Sequence, residues 1–127
     1  MKELSKRRIR RICKHALYEV ADGDPDGMCD PTSVEVCEQL DDAGYDYCGL
    51  SKGYIFGEPH YVAIIPGGQT DFTTRDRVLV DPTIQQFSGM TEQELPEAAI
   101  VLESDTKWNT WYDGFERVSD KRLQNGS

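Results

Sequence analysis

The first part of the chain alternates apolar and polar residues with the period of an α-helix. Between residues 4 and 21, apolar side chains recur at positions i, i+3, i+4, i+7, i+8 and i+11, which places them on one stripe of a helix. The stripe consists of Ile9, Ile12, Cys13, Ala16, Leu17 and Val20. Arginines occupy the other faces. The pattern therefore predicts an amphipathic helix over residues 4–21.

A second helix is predicted over about residues 31–43. Its apolar face consists of Val34, Cys37 and Leu40. Gly44 is typical of a residue that ends a helix, because glycine tolerates the left-handed backbone conformation there. Cys37 lies on the apolar face in mid-helix, so we expect it to be a packed, unreactive thiol.

The start of this second helix can be built in two ways. Asp30 can cap it with Pro31 as the first helical residue, or Thr32 and Glu35 can form a capping box. With either start, Cys29 lies within about one turn of the positive end of the helix.

After Gly44 the pattern changes to the short, β-branched runs of strands. The candidate strands are Tyr45–Cys48, Tyr54–Phe56, residues 60–65, Arg77–Val80 and Ala99–Leu102. A turn is predicted at Gly49–Gly53, and a short helical start at Thr91–Leu95. We therefore expect an α+β fold in which an antiparallel sheet of four to six strands packs against the second helix.

Size and charge narrow the class of protein. The 127 residues predict a single domain, divided into the basic helix (1–21), an acidic loop (22–30) and the core (31–127). The first fourteen residues hold seven of the 14 lysines and arginines and one of the 23 acidic residues. The acidic remainder is typical of proteins from high-salt organisms and also of ordinary acidic bacterial or phage proteins. Composition does not separate these two.

The basic face of the first helix has two interpretations. It can contact an acidic partner or nucleic acid, or it can be a solvated helix face near the acidic surface of the chain itself. No aromatic residues interleave with the arginines for base stacking, so nucleic-acid binding is not favoured.

Location and metal content follow from what the sequence lacks. No apolar run has membrane-spanning length, and the N-terminus has no signal-peptide pattern, so we expect a cytoplasmic or virion-associated protein without membrane contact. The four cysteines are then free thiols, and no close cysteine pair predicts zinc. Asp22, Asp24 and Asp26 alternate as in a calcium loop, but Ser33 stands where the bidentate glutamate is needed. We expect neither a metal nor another cofactor.

Three residues with complementary chemistry stand at the edges of predicted elements. Cys29 precedes the second helix, whose dipole and free N–H groups favour a thiolate. His60 opens one strand and Asp81 closes the next, and antiparallel pairing of these strands brings the two residues to the same end of the sheet. An imidazole can take a thiol proton, and a carboxylate can orient that imidazole. The order Cys29, His60, Asp81 thus supplies a nucleophile, a base and an orienting group.

The same segments resemble the papain-like and transglutaminase-like cysteine enzymes. The matching segments are residues 27–29 (Gly-Met-Cys), 59–62 (Pro-His-Tyr-Val) and 80–87 (Val-Asp-Pro-Thr-Ile-Gln-Gln-Phe). The resemblance implies a helix packed on an antiparallel sheet and a thioester intermediate on Cys29, with His60 as base and Asp81 as orienting residue. An aspartate in the third position is closer to the transglutaminase-like branch.

Two functional hypotheses follow. In the first, the protein is a thiol-dependent hydrolase or acyltransferase of amide or isopeptide bonds in a protein or peptide substrate. The Cys29 N–H and a second donor, either Gln85 or Gln86, then bind the oxyanion. In the second, the domain is a non-catalytic structural or adaptor component of a larger assembly such as a virion, docked through its N-terminal helix.

Overall fold

The computed structural model describes residues 2–118. Over this range the chain forms three α-helices, one 3-10 helix and five strands. They are α1 (Lys6–Ala21), α2 (Cys29–Asp42), β1 (Gly49–Ile55), β2 (Glu58–Ile65), β3 (Val78–Asp81), the 3-10 helix (Ile84–Met90), β4 (Ala99–Leu102), α3 (Thr106–Thr110) and β5 (Tyr112–Arg117). The predicted α+β class, with a sheet of four to six antiparallel strands, is confirmed.

The five strands form one antiparallel sheet in the order β4-β3-β2-β1-β5. β1 and β2 are joined by the two-residue turn Phe56-Gly57, in which both residues have positive φ (51° and 81°). Such a turn matches the right-handed twist of the strands that it joins. β2 is next to β1 on one side and β3 on the other, so its residues lie in the interior of the sheet.

Both faces of the sheet are covered, because alternate residues of β2 belong to different apolar cores. Ala63 and Ile65 pack under α1 and α2, whereas Val62 and Ile64 pack under the 3-10 helix and the residues before β4. Trp108 and Trp111 pack at the margin of this second core. Among residues 2–118, no helix combines the length and the apolar character needed to cross a membrane.

The main error of the sequence prediction lies in the first strand. Tyr45–Cys48 is a turn rather than a strand, and the predicted turn Gly49–Gly53 forms most of β1. A Cβ on Gly53 would lie 2.7 Å from the Asp113 carbonyl oxygen. Gly53 therefore allows β5 to approach β1 closely, which a local sequence pattern does not reveal.

A second error concerns Thr91–Leu95, which we predicted as a short helical start. The structure has bends and irregular backbone there, and the helical turns occur earlier, at Ile84–Met90. Ile84 and Phe87 are the buried side chains of this 3-10 helix. The helical turns thus lie directly after Asp81 and cover the sheet face that carries His60 and Val62.

Candidate active site

Cys29 is the first residue of α2. The helix begins two residues earlier than predicted, and neither predicted capping arrangement forms. Met28 is the N-cap, with no side-chain hydrogen bond, and the buried Thr32 hydroxyl has no hydrogen-bond partner within residues 2–118. Asp30 and Pro31 lie inside the first turn. The first turn of α2 thus contains the acidic Asp30, and its backbone N–H groups and the helix dipole favour an anion at Cys29.

The start of α2 is attached to β2. The Ser33 hydroxyl donates a hydrogen bond to the Tyr61 carbonyl oxygen at 3.2 Å, and Ser33 is itself fully buried. Ser33 lies one turn after Cys29, so this bond holds the first turn of α2 next to the strand that carries His60. The sequence offered no sign of this role, because a serine in a helix is unremarkable.

The thiol of Cys29 is half-buried and lies among groups that stabilise its anion. Burial alone raises the pKa of Cys29, but a side-chain hydrogen bond with His60 and the backbone N–H of Tyr61 lower it. The charge of His60 and the Asp30 backbone N–H lower it further, so that the net pKa is below that of an ordinary thiol. The local environment thus favours the thiolate, which is the reactive form of cysteine.

His60 is bound to Asp81 inside the protein. Nε2 of His60 lies 2.9 Å from Oδ2 of Asp81, and both side chains are 0 % exposed. In the β2–β3 register Ala63 pairs with Val80, so Asp81 lies opposite Val62. His60, two residues before Val62, is then the diagonal neighbour of Asp81 on the same face of the sheet. Burial lowers the pKa of His60, but the charge and hydrogen bond of Asp81 outweigh this and raise it to about 9, with a further contribution from Cys29. A histidine with this pKa is protonated at neutral pH.

The second ring nitrogen of His60 is the one left for the thiol. Nδ1 is buried and makes no hydrogen bond of regular geometry with any residue in the described range 2–118. The thiol interaction is therefore loose, as is common in enzymes before substrate binds. Phe87 packs edge-on against the imidazole, with the ring centroids 4.8 Å apart. The ring is thus held by Asp81 and Phe87, with one nitrogen unused by the fold.

Asp81 is fixed by more than its bond to His60. The Tyr112 hydroxyl donates to Oδ2 at 2.9 Å, and the Thr83 backbone N–H donates to Oδ1 at 3.1 Å. Gln86 in turn donates from Nε2 to the Thr83 hydroxyl at 2.9 Å. These bonds supply hydrogen-bond partners to a fully buried carboxylate, which would otherwise be costly to bury.

Sequence reasoning missed Tyr112. Tyr112 is the first residue of β5. In the sheet, β1 and β2 lie between β5 and β3, the strand that carries Asp81. Its hydroxyl nevertheless reaches Asp81, and the side chain is 1 % exposed, so the sheet curves strongly over this face. A tyrosine in an aromatic segment is usually a packing residue. No local signal distinguished it from Trp108 or Trp111.

Replacing Tyr112 with phenylalanine should destabilise the protein by roughly 1.5–3 kcal/mol, because Asp81 would lose a hydrogen bond to a buried charge. The free energy of unfolding in urea measures this loss. Tyr54→Phe is the matched control, since Tyr54 also lies in a strand but is 50 % exposed. Equal stability of Tyr112→Phe and Tyr54→Phe would contradict the role of the hydroxyl.

Gln85 and Gln86, the predicted oxyanion donors, are both used within the fold. Nε2 of Gln85 donates to the carbonyl oxygens of Leu95 (2.6 Å) and Pro96 (2.8 Å), and Gln86 is bound to Thr83. An amide nitrogen has two protons, so that of Gln85 is fully occupied. These contacts leave no free donor on the amide of Gln85, whereas the bond of Gln86 to Thr83 uses one of its two amide protons.

The surroundings of the other three cysteines raise the pKa of the thiol instead of lowering it. Burial is the largest influence on each, and it raises the pKa of Cys37 and of Cys48 to about 12. The pKa of Cys13 is raised further still, by burial and by the charge of Asp81. These thiols remain protonated under native conditions. Cys29 is the one cysteine whose surroundings lower its pKa.

Residues 2–118 contain no group of three histidine, cysteine or acidic side chains that could hold a metal ion. Comparisons of the chain with protein-family models, with curated proteins and with solved structures found no match.

Proposed function

We propose that this protein is a thiol-dependent hydrolase or acyltransferase of amide or isopeptide bonds, with Cys29 as the nucleophile, His60 as the acid and base, and Asp81 as the orienting residue. The observation that carries the proposal is the buried His60–Asp81 pair at 2.9 Å, with Cys29 beside the imidazole at an uncapped helix start. A lowered thiol pKa next to a raised imidazole pKa describes a thiolate–imidazolium pair.

The chemistry would proceed in two steps. The Cys29 thiolate attacks the carbonyl carbon of the amide, and the imidazolium of His60 gives its proton to the leaving nitrogen as the C–N bond breaks. This leaves a thioester on Cys29 and neutral His60. Water or an acceptor amine then attacks the thioester carbonyl and gives a proton to His60, and the thiolate leaves. Backbone N–H groups at the start of α2 stabilise the oxyanion in both steps.

The architecture also fits the resemblance to the papain-like and transglutaminase-like enzymes. The nucleophile opens a helix that packs on an antiparallel sheet, and the base and the orienting carboxylate follow on adjacent strands in the order Cys29, His60, Asp81. We therefore propose a papain-like fold of the transglutaminase-like branch, since the third residue is an aspartate.

The pH–rate profile of iodoacetamide modification at Cys29 should have its midpoint below about 8.5, the pKa of a free cysteine, because the surroundings of Cys29 lower its pKa. His60→Gln keeps a similar volume but cannot carry a positive charge, so the midpoint of the pH–rate profile should rise by about one pH unit or more. Peptide mapping by mass spectrometry after timed alkylation of the folded protein measures both profiles.

His15→Gln is the control, because His15 is the other histidine of the chain and lies exposed on α1. It should leave the profile unchanged. A wild-type profile that follows an ordinary thiol would remove the basis for the enzyme, and the non-catalytic component of a larger assembly would become the better account.

A further inference from the structure

A cavity of about 510 Å³ lies between α1, the loop before α2, and the segments that follow β3 and precede β4. Its volume is within the range of small-ligand and peptide side-chain sites. Gln85 donates to the Leu95 and Pro96 carbonyl oxygens, which joins the last two segments into one wall. The cavity is therefore bounded by elements that the fold holds in place.

Two residues that line the cavity are connected through the backbone to residues of the candidate active site. Pro82 lines it and directly follows Asp81. Pro25 also lines it, and its carbonyl oxygen accepts the backbone N–H of Met28 at 3.1 Å, directly before Cys29. A smaller cavity of about 140 Å³ shares residues with the first and reaches Tyr112.

The lining is apolar inside and basic outside. Cys13, 1 % exposed, and Leu17 belong to the inner wall, whereas Arg10 and Lys14 stand one turn apart on α1 with exposed side chains. Neither Arg10 nor Lys14 forms an ion pair with a residue in the range 2–118. Tyr18 adds an aromatic ring that is 61 % exposed.

The lining also holds one acid, Glu97, so its basic residues outnumber its acidic ones. The chain as a whole carries a formal charge of −9 and repels anions at long range. Arg10 and Lys14 belong to the basic helix α1, which gives this side of the cavity a charge opposite to that of the chain as a whole.

We propose that this cavity binds the substrate segment next to the amide bond and selects a peptide that carries a carboxylate there. The inference rests on the proposed function, because it takes Cys29 as the reacting group. The apolar inner wall holds the body of the segment, and Arg10 and Lys14 hold its carboxylate at the rim.

The probes are two matched peptides, acetyl-Ala-Glu-Ala-Glu-Ala-amide and its Gln-for-Glu counterpart. The acidic peptide should bind about fivefold more tightly by isothermal titration calorimetry, as expected for partly exposed charge contacts. It should also slow iodoacetamide modification of Cys29 at lower concentration. At 1 M salt, where the screening length is about 3 Å, the difference should disappear.

Two double variants separate the cavity from the general charge of α1. Arg10→Glu with Lys14→Glu should abolish or reverse the preference for the acidic peptide. Arg7→Glu with Arg11→Glu makes the same charge change at exposed positions outside the cavity lining and should keep the preference. In the absence of peptide, the pH profile of Cys29 alkylation in the wild type and in Arg7→Glu with Arg11→Glu tests the proposed function separately.

Equal binding of the two peptides to the wild type, or no binding of either, would overturn the proposal. So would an equal loss of preference in both double variants. An ordinary thiol profile at Cys29 with a retained preference would instead defeat the enzyme and leave a binding cavity for acidic peptides.

Discussion

Cys29→Ala is expected to lose iodoacetamide modification of the folded protein at neutral pH and at least about 10³-fold in the turnover of any amide substrate found for the wild type. The thioester cannot form without the sulfur, and no other cysteine can replace it. Intact-mass spectrometry should show one adduct on the folded wild type and none on the variant, and a kinetic assay on a peptide pool measures turnover.

Cys48→Ala is the matched control for this experiment. Cys48 is half-buried like Cys29, but its surroundings raise its pKa to about 12, whereas those of Cys29 lower it. Its removal should leave the adduct and the turnover unchanged. If Cys29→Ala kept the adduct or the turnover, Cys29 would not be the nucleophile.

Asp81→Ala is expected to destabilise the protein by about 3–5 kcal/mol, the cost of removing one partner of a buried ion pair. His60, Tyr112 and the Thr83 N–H would each lose an acceptor, and His60 Nε2 would be left buried without a partner. The free energy of unfolding in guanidinium chloride measures the loss. Asp113→Ala, an exposed aspartate on β5, should change stability by less than about 0.5 kcal/mol.

Asp81→Asn should destabilise the protein less than Asp81→Ala does, because the side-chain amide oxygen can still accept a hydrogen bond. It removes the negative charge that raises the pKa of His60, so the pKa of His60 should fall below its value in the wild type. A smaller share of His60 is then protonated at neutral pH, and the alkylation midpoint of Cys29 should shift upward. An unchanged midpoint would mean that Asp81 supports only the fold.

The secondary structure was predictable where the local pattern was strong. β4 (Ala99–Leu102) has the predicted bounds, and α1 begins two residues later than predicted but ends at the predicted residue. β2 was identified from a β-branched run that ends at a proline and two glycines. Only the end of β1 was identified, within the predicted strand Tyr54–Phe56, because the glycines of its first part look like a turn until the close approach of β5 is known.

The sequence by itself determined the order of nucleophile, base and carboxylate and the helix and strands that carry them. Antiparallel pairing of neighbouring strands then predicted that His60 and Asp81 meet, and they lie at hydrogen-bonding distance. Local patterns hold this information because helix starts, strand ends and adjacent pairing are set by nearby residues.

Only the tertiary structure decided how the site is held. Tyr112 reaches Asp81 from 31 residues away in the chain, and Gln85 turns out to join two loops rather than face the nucleophile. Such contacts depend on the curvature of the sheet and on the packing of loops over it. The electrostatic contrast between Cys29 and the other cysteines likewise arises from burial and from long-range neighbours, which a one-dimensional pattern does not contain.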